Sequence, residues 1–365
     1  MFTLSDYAYT LPEELIAQEP LQDRDGSRLL CLDRDTGVVE HRLFRDLADC
    51  VSPGDILVIN NTEVIPGRLF GRKQTGGKVE VLILDYEGAV AGRSLSGSFV
   101  SECLVSASKR IRSGATISFN GEWRAEVIGG EGPTFILRFE GPGAIEDLLA
   151  KSGQIPLPPY IRRGEHAGMD DRSTYQTIYA THKGAIAAPT AGLHFTEALF
   201  SKLNAKGVRI APVTLHVGYG TFVPVRVADI RDHVMHVERY HIDMETAESI
   251  NESKKKGGRV IAVGTTTVRT LEYASDAGGT VHPGSGACDL FIYPGYRFRV
   301  VDAIITNFHL PGTTLLMLVS AFAERERILS AYHMAINEKY RFYSYGDAML
   351  IKSFHASPQK GSSHV

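Results

Sequence analysis

The 365-residue chain is poor in cysteine, has a single tryptophan and carries no strong excess of either charge. Cys31, Cys50, Cys103 and Cys288 stand far apart with no C-x-x-C pair. That spacing argues against a disulfide framework and a structural zinc site, and fits reduced thiols in a cytoplasm. The N-terminal stretch MFTLSDYAYTLPEEL has acidic residues and lacks the apolar core flanked by positive charge of a secretory signal. The most apolar long stretch, IITNFHLPGTTLLMLVSAFA, is interrupted by Asn307, His309, Pro311 and Gly312, too broken for a simple membrane span. A net charge of −3 removes the overall basicity by which many nucleic-acid binders announce themselves. No G-x-x-x-x-G-K-[ST] phosphate loop occurs, and HVGYGTFV misses the third glycine of a dinucleotide fingerprint because Val223 takes its place. A soluble cytoplasmic protein, acting as a monomer and without a membrane partner, is expected.

With 43% hydrophobic and 22% charged residues, the chain can bury a sizeable core and exceeds one typical domain. Its texture changes twice. In residues 1–65 helical and strand patterns alternate: LPEELIAQEP places Pro12 at a helix start, and DILVINN reads as a strand. From Gly67 to Phe139 the helical period vanishes. GRLFGRK, KVEVLIL, SFVSECLVSAS, ATISFN, WRAEVIG and TFILRFE follow one another at roughly ten-residue spacing between turns, the pattern of a small antiparallel barrel or sandwich. After AIEDLLAKSG the alternation resumes, with AIAAP, VRIAPVTLHV, RVIAVG and AIITN as strands. TEALFSKLNAKG, METAESINESKKKGG, TTTVRTLEYAS and TLLMLVSAFA read as helices. The fold class is therefore α/β, with a discontinuous α/β domain of residues 1–66 and 153–365 and an inserted all-β domain of residues 67–152. The tail SPQKGSSHV lacks apolar content and reads as disordered.

The candidate chemistry gathers where strands end. GAIAAPTAGLHFT holds His194 between Gly192 and Thr196, the latter placed to cap the next helix. VTLHVGYGTF puts His216, Gly218 and Gly220 after a strand, with glycines that let a ligand approach the backbone. VIAVGTTTVRTLE opens a helix with Thr265, Thr266 and Thr267, whose free N–H groups suit a carboxylate or phosphate; a plain helix cap would look the same. TNFHLPGTT carries Asn307 and His309 in another strand-to-helix turn, the place where open α/β sheets put their chemistry. A histidine that only hydrogen-bonds within a tight turn leaves the same trace, yet two at strand ends are harder to dismiss than one. HVMHVERYH offers His233, His236, Glu238 and His241, but on a strand His236, Glu238 and Tyr240 would share a face, so no metal is expected there. Basic clusters at Arg68, Arg72, Lys73 and Lys78, at Lys109, Arg110 and Arg112, at Arg162 and Arg163, and at Lys254 to Lys256 with Arg259 read most simply as solvated faces.

GDILVINNTEVIPGRL, GQIPLPPYIRR, DRSTYQTIYA, GAIAAPTAGLHFT, VTLHVGYGTFVPV, MHVERY, AVGTTTVRTLE and TNFHLPGTTLLMLVSAF, in this order over nearly the whole chain, resemble the S-adenosylmethionine:tRNA ribosyltransferase-isomerase family of queuosine biosynthesis. The resemblance implies transfer and isomerisation of the ribosyl part of S-adenosylmethionine onto 7-aminomethyl-7-deazaguanine at the tRNA wobble position, with loss of adenine and methionine. It implies no metal or other cofactor, S-adenosylmethionine being a consumed substrate. Carried residue by residue, it implies His194, His309 and Glu238 as catalytic, and Thr190, Gly192, Thr196, His216, Gly218, Gly220, His236, Thr265, Thr266, Thr267, Arg269 and Asn307 as substrate-binding. Within that set, His194 or His309 would be acid or base, Glu238 their orienting partner or a ribose-hydroxyl acceptor, and the threonines with Arg269 the grip on the methionine carboxylate. A phosphoribosyl-type transferase holding phosphate on VGTTTVR and a non-catalytic RNA-binding protein are the competing classes.

Overall fold

The computed structural model describes residues 2–92, 97–163 and 170–354, so the expectation for the tail SPQKGSSHV lies outside the described residues. Nine strands form one mixed sheet in the order Gly284–Cys288, Glu238–Ile242, Arg209–Leu215, Ile56–Asn60, Val260–Val263, Ala303–Asn307, Ala348–Lys352, Arg28–Asp33 and Val39–Leu43. The four from Arg209–Leu215 to Ala303–Asn307 run parallel, and Ala348–Lys352 joins them antiparallel. Strand Ile56–Asn60 shows why the apolar runs had to lie inside. Its five residues are all buried, with Ile56 and Val58 in one core and Leu57 and Ile59 in the other, as a strand covered on both faces requires. One core takes Val268 and Leu271 of helix Thr265–Tyr273 and the apolar face of helices Thr314–Ala323 and Arg325–Asn337. The other takes Leu199 and Leu203 of helix Glu197–Ala205. No described helix is long and apolar enough to cross a membrane.

Every β-rich segment read between Gly67 and Phe139 is a strand. Arg68–Lys73, Lys78–Ile83, Phe99–Ala107, Thr116–Phe119, Trp123–Glu131 and Thr134–Glu140 close into a six-stranded antiparallel barrel. Its core is aromatic: Phe99 stacks on Phe139 at 4.8 Å, and Trp123 packs against Phe99 at 6.0 Å. The chain leaves the barrel where the Arg68 and Gln154 backbones exchange hydrogen bonds, and the barrel domain meets the large sheet where Arg239 reaches Asp85 at 3.4 Å and Glu87 at 3.1 Å.

Two local expectations fail. LPEELIAQEP makes only the 3-10 turn Glu13–Leu15 behind Pro12, too short to gain from helical cooperativity. AIAAP is not a strand as a whole: His182–Ala185 pairs in parallel with Thr62–Val64 and stops at Ala185. The chain then turns through the 3-10 segment Thr190–His194 after Pro189.

Candidate functional site

The C-terminal ends of the parallel strands, at Asn60, Leu215, Val263 and Asn307, lie on one edge of the sheet, and the loops leaving the last three help enclose a cleft. Pro189 to Ala191 form one wall and Thr265 with Thr266 another. Asn307, Phe308 and His309 close the cleft with Tyr160, Tyr175, Tyr343 and Ser344. The cleft measures about 80 Å³ and continues past Thr221, Thr265, Thr266 and Leu315 into a smaller one of about 20 Å³, where Gly220, His233, His236, Glu238 and Arg269 converge. Of the residues expected at the site, Thr190, Gly220, His236, Glu238, Thr265, Thr266, Arg269, Asn307 and His309 line this joined space.

The helix N-terminus between the two compartments is built by Gly264, whose φ of +87° a side chain would strain. The first N–H groups of Thr265–Tyr273 have no helical acceptor and open toward the cleft, as anion sites do. Thr267 instead turns inward, donating from Oγ1 to the Val263 carbonyl at 2.7 Å, and is fully buried.

His309 is buried, with Nε2 2.8 Å from Thr306 Oγ1, and burial pushes its pKa down to about 3. At neutral pH it is an uncharged imidazole on the cleft wall.

His194 lies one layer behind. Its Nδ1 is 2.8 Å from Ser27 Oγ, its Nε2 is 3.2 Å from Asn307 Nδ2, and its ring stacks on Phe44 at 4.9 Å. Asn307 Nδ2 also donates to the Tyr343 carbonyl at 3.1 Å, and its Oδ1 accepts from Thr190 Oγ1 at 3.0 Å. An amide NH₂ can only donate, so His194 Nε2 accepts and Nδ1 carries the proton toward Ser27. Burial pushes the His194 pKa down to about 4. Both ring nitrogens are thus spent, Nδ1 on Ser27 and Nε2 on Asn307, the residue that meets the cleft.

Glu238 touches neither histidine. It accepts the Gly218 N–H at 2.9 Å and forms a buried ion pair with Arg269. Arg269 also donates to the Leu290 carbonyl at 2.9 Å and to the Cys288 carbonyl at 3.4 Å, so its guanidinium is already engaged by protein. Arg269 and Glu238 are thus paired with each other on the wall of the smaller compartment, and Glu238 makes no hydrogen bond to His194 or His309. Gly220 is required because a Cβ there would stand 2.4 Å from the His236 ring.

Besides His194 and Thr267, four more expected residues stay out of the cleft. Gly192 packs under Tyr179, whose hydroxyl a Cβ would meet at 2.0 Å. Thr196 caps helix Glu197–Ala205, accepting the Leu199 N–H at 3.2 Å and bonding to Asp25 at 3.1 Å. Gly218 serves through its N–H on Glu238. His216 turns away to Thr62 at 2.8 Å and Glu87 at 3.1 Å, at the junction with the barrel. Missing from the expected set are Tyr160, Tyr175, Thr221, Tyr343 and Ser344. Tyr160 and Tyr175 sit within the quoted segments GQIPLPPYIRR and DRSTYQTIYA, but nothing in their spacing pointed inward.

Strand-end loops around a joined cleft, on a mixed sheet with an inserted barrel, define an α/β enzyme working at the carboxyl edge of its sheet. Residues 4–351 match the model of the queuosine biosynthesis protein family. The chain is 52% identical over 350 residues to a Pelobacter propionicus protein named S-adenosylmethionine:tRNA ribosyltransferase-isomerase, covering 96% of this chain and 99% of that one. It is 51% identical over 352 residues to an Acetivibrio thermocellus protein of the same name, covering 96% and 99%. A crystal structure of S-adenosylmethionine tRNA ribosyltransferase from Thermotoga maritima, 37% identical, covers 95% of this chain and 100% of its own, with a TM-score of 0.53. The chain belongs to the queuosine biosynthesis protein family.

Proposed function

We propose that the chain transfers and isomerises the ribosyl part of S-adenosylmethionine onto the aminomethyl group of 7-aminomethyl-7-deazaguanine in the tRNA wobble position, giving epoxyqueuosine. Adenine and methionine leave. The observation that carries this reading onto the geometry is the joined cleft, in which a free helix N-terminus at Thr265 and Thr266 stands between a neutral histidine and a buried carboxylate. The nucleoside lies in the compartment of His309, and the methionine carboxylate on the N–H groups of Thr265 and Thr266, with Thr190 and Asn307 fixing ribose hydroxyls. The sulfonium acidifies the C5′ protons, and His309 takes one as the bond to adenine breaks. The imidazolium so formed gives its proton to the departing adenine. The wobble base, splayed from a single-stranded loop, enters over Glu238 and His236, and its amine attacks before ring closure expels methionine. His194 acts as a positioning residue through Asn307. S-adenosylmethionine is consumed as substrate, and the reaction asks for no further cofactor.

The test is adenine release from S-adenosylmethionine with precursor tRNA bearing the aminomethyl base. Stoichiometric adenine supports the reading. Binding of phosphoribosyl pyrophosphate without S-adenosylmethionine turnover would move the chain to another transferase class, and tRNA binding without adenine release would make it a non-catalytic RNA-binding protein.

A further inference from the structure

On the barrel, strands Arg68–Lys73 and Lys78–Ile83 pair with Arg72 directly opposite Lys78 and Phe70 opposite Glu80. Ser118 flanks Arg72 on the next strand, and Ser106 flanks Glu80 on the other side. The alternate residues Leu69, Val79 and Ile117 are buried in the barrel core, so this row faces outward. Like charges set opposite one another across an antiparallel pair destabilise a sheet. The nearby acid does not answer them, because Glu80 is held by Arg68 in two hydrogen bonds of 2.7 and 3.1 Å. Among the described residues no carboxylate stands within ion-pair distance of Arg72 or Lys78, and the Arg72 guanidinium finds only the Gly76 carbonyl at 3.0 Å. Beside them Phe70 is 46% exposed, with the Arg68 guanidinium 5.0 Å from its ring centre. These side chains line an open groove of about 930 Å³.

We propose that this barrel face holds the sugar-phosphate backbone of the tRNA substrate, with Arg72 and Lys78 on phosphates and Phe70 against a base or ribose; this rests on the activity proposed above. Two uncompensated cations in an extended groove next to an exposed aromatic ring match how proteins track RNA strands. A single small anion would not fill the space. Arg68 exchanges backbone hydrogen bonds with Gln154, where the chain leaves the barrel, and four residues of strand put Arg72 about 13 Å from that crossing.

The experiment measures binding of precursor tRNA by fluorescence anisotropy over a series of salt concentrations, alongside adenine release at saturating tRNA. In Arg72→Gln/Lys78→Gln the dissociation constant should rise about tenfold or more, and the slope of log affinity against log salt should become shallower by about one to two. Adenine release at saturating tRNA should stay at the wild-type rate. Phe70→Ala should weaken binding with the slope unchanged, and Lys78→Gln alone should show the smaller slope change should the double variant not fold. Wild-type affinity and slope in a double variant that melts like the wild type would overturn the proposal and leave the face to a protein partner or a second copy. Wild-type protein that binds no tRNA and releases no adenine would instead refute the activity itself.

Discussion

At the scale of single residues, His194 and His309 look alike in sequence, each in a turn after a strand, yet the structure separates them. His309 faces the cleft, and His194 spends both nitrogens on Ser27 and Asn307. Single-turnover adenine release should therefore fall about 10²-fold or more in His309→Gln, while His194→Gln, which can keep one of the two hydrogen bonds, should stay within about tenfold of wild type. The reverse ranking would return His194 to the chemistry. A second consequence concerns the Glu238–Arg269 pair, which is buried on both sides. Removing the charge of one partner strands the other, a cost of about 3–5 kcal/mol. Glu238→Gln should lower stability toward that amount in denaturant titrations, and Glu238→Gln/Arg269→Met should recover much of it. Additive losses in the double variant would mean that the two charges are not coupled.

At the scale of elements, Thr196 shows a residue whose local role was legible and whose site role was not. It caps helix Glu197–Ala205 as the sequence implies, but its hydroxyl points to Leu199 and Asp25 and away from the cleft. Thr196→Ala should cost about 1 kcal/mol in thermal unfolding and leave adenine release unchanged; a lost turnover with intact stability would place it at the substrate instead. The segment from Gly218 to Val237 behaves differently. It holds only short 3-10 turns and exposes Val234 at 83% and Val237 at 62% beside a cleft of about 80 Å³. Pockets for drug-sized ligands run to about 300–1,000 Å³, so a nucleoside sulfonium needs a wider cleft, and the expectation is that this segment opens it. Hydrogen exchange over residues 219–237 should slow when S-adenosylmethionine binds; unchanged exchange at saturation would put the opening elsewhere.

The same contrast explains what sequence alone yields. Buried strands such as Ile56–Asn60 and barrel strands such as Thr134–Glu140 announce themselves because periodicity and burial are the same physical fact. Helix Arg325–Asn337 also carried its signal, in Ile328, Ala331, Tyr332 and Ala335 at helical spacing, but charged neighbours masked it. Site loops could be located from glycine and proline at strand ends. Which way a side chain points from a 3-10 turn such as Thr190–His194 depends on partners distant in sequence, Ser27 and Asn307 here, and no spacing rule encodes them.

At the scale of the whole molecule, the two buried histidines tie the site to the pH dependence of folding. Their pKa values, about 4 for His194 and about 3 for His309, lie below the ordinary value of 6.5 because burial disfavours the charged ring. The unfolded chain therefore binds protons that the folded chain refuses between pH 6.5 and pH 4. The contribution of each neutral histidine is complete above pH 6.5 and is lost progressively as the pH falls. By pH 5 the loss amounts to about 2 kcal/mol for each ring, on the order of 4 kcal/mol together. Denaturant unfolding at pH 7.5 and pH 5.0 should show that drop in the wild type. In His194→Gln the drop between the two pH values should shrink by about 2 kcal/mol, whatever the substitution does to stability at pH 7.5, since glutamine does not titrate. An equal pH slope in wild type and variant would mean that the His194 ring is solvated enough to protonate in the folded state, and would take with it the hydrogen-bonded bridge from Ser27 through His194 to Asn307.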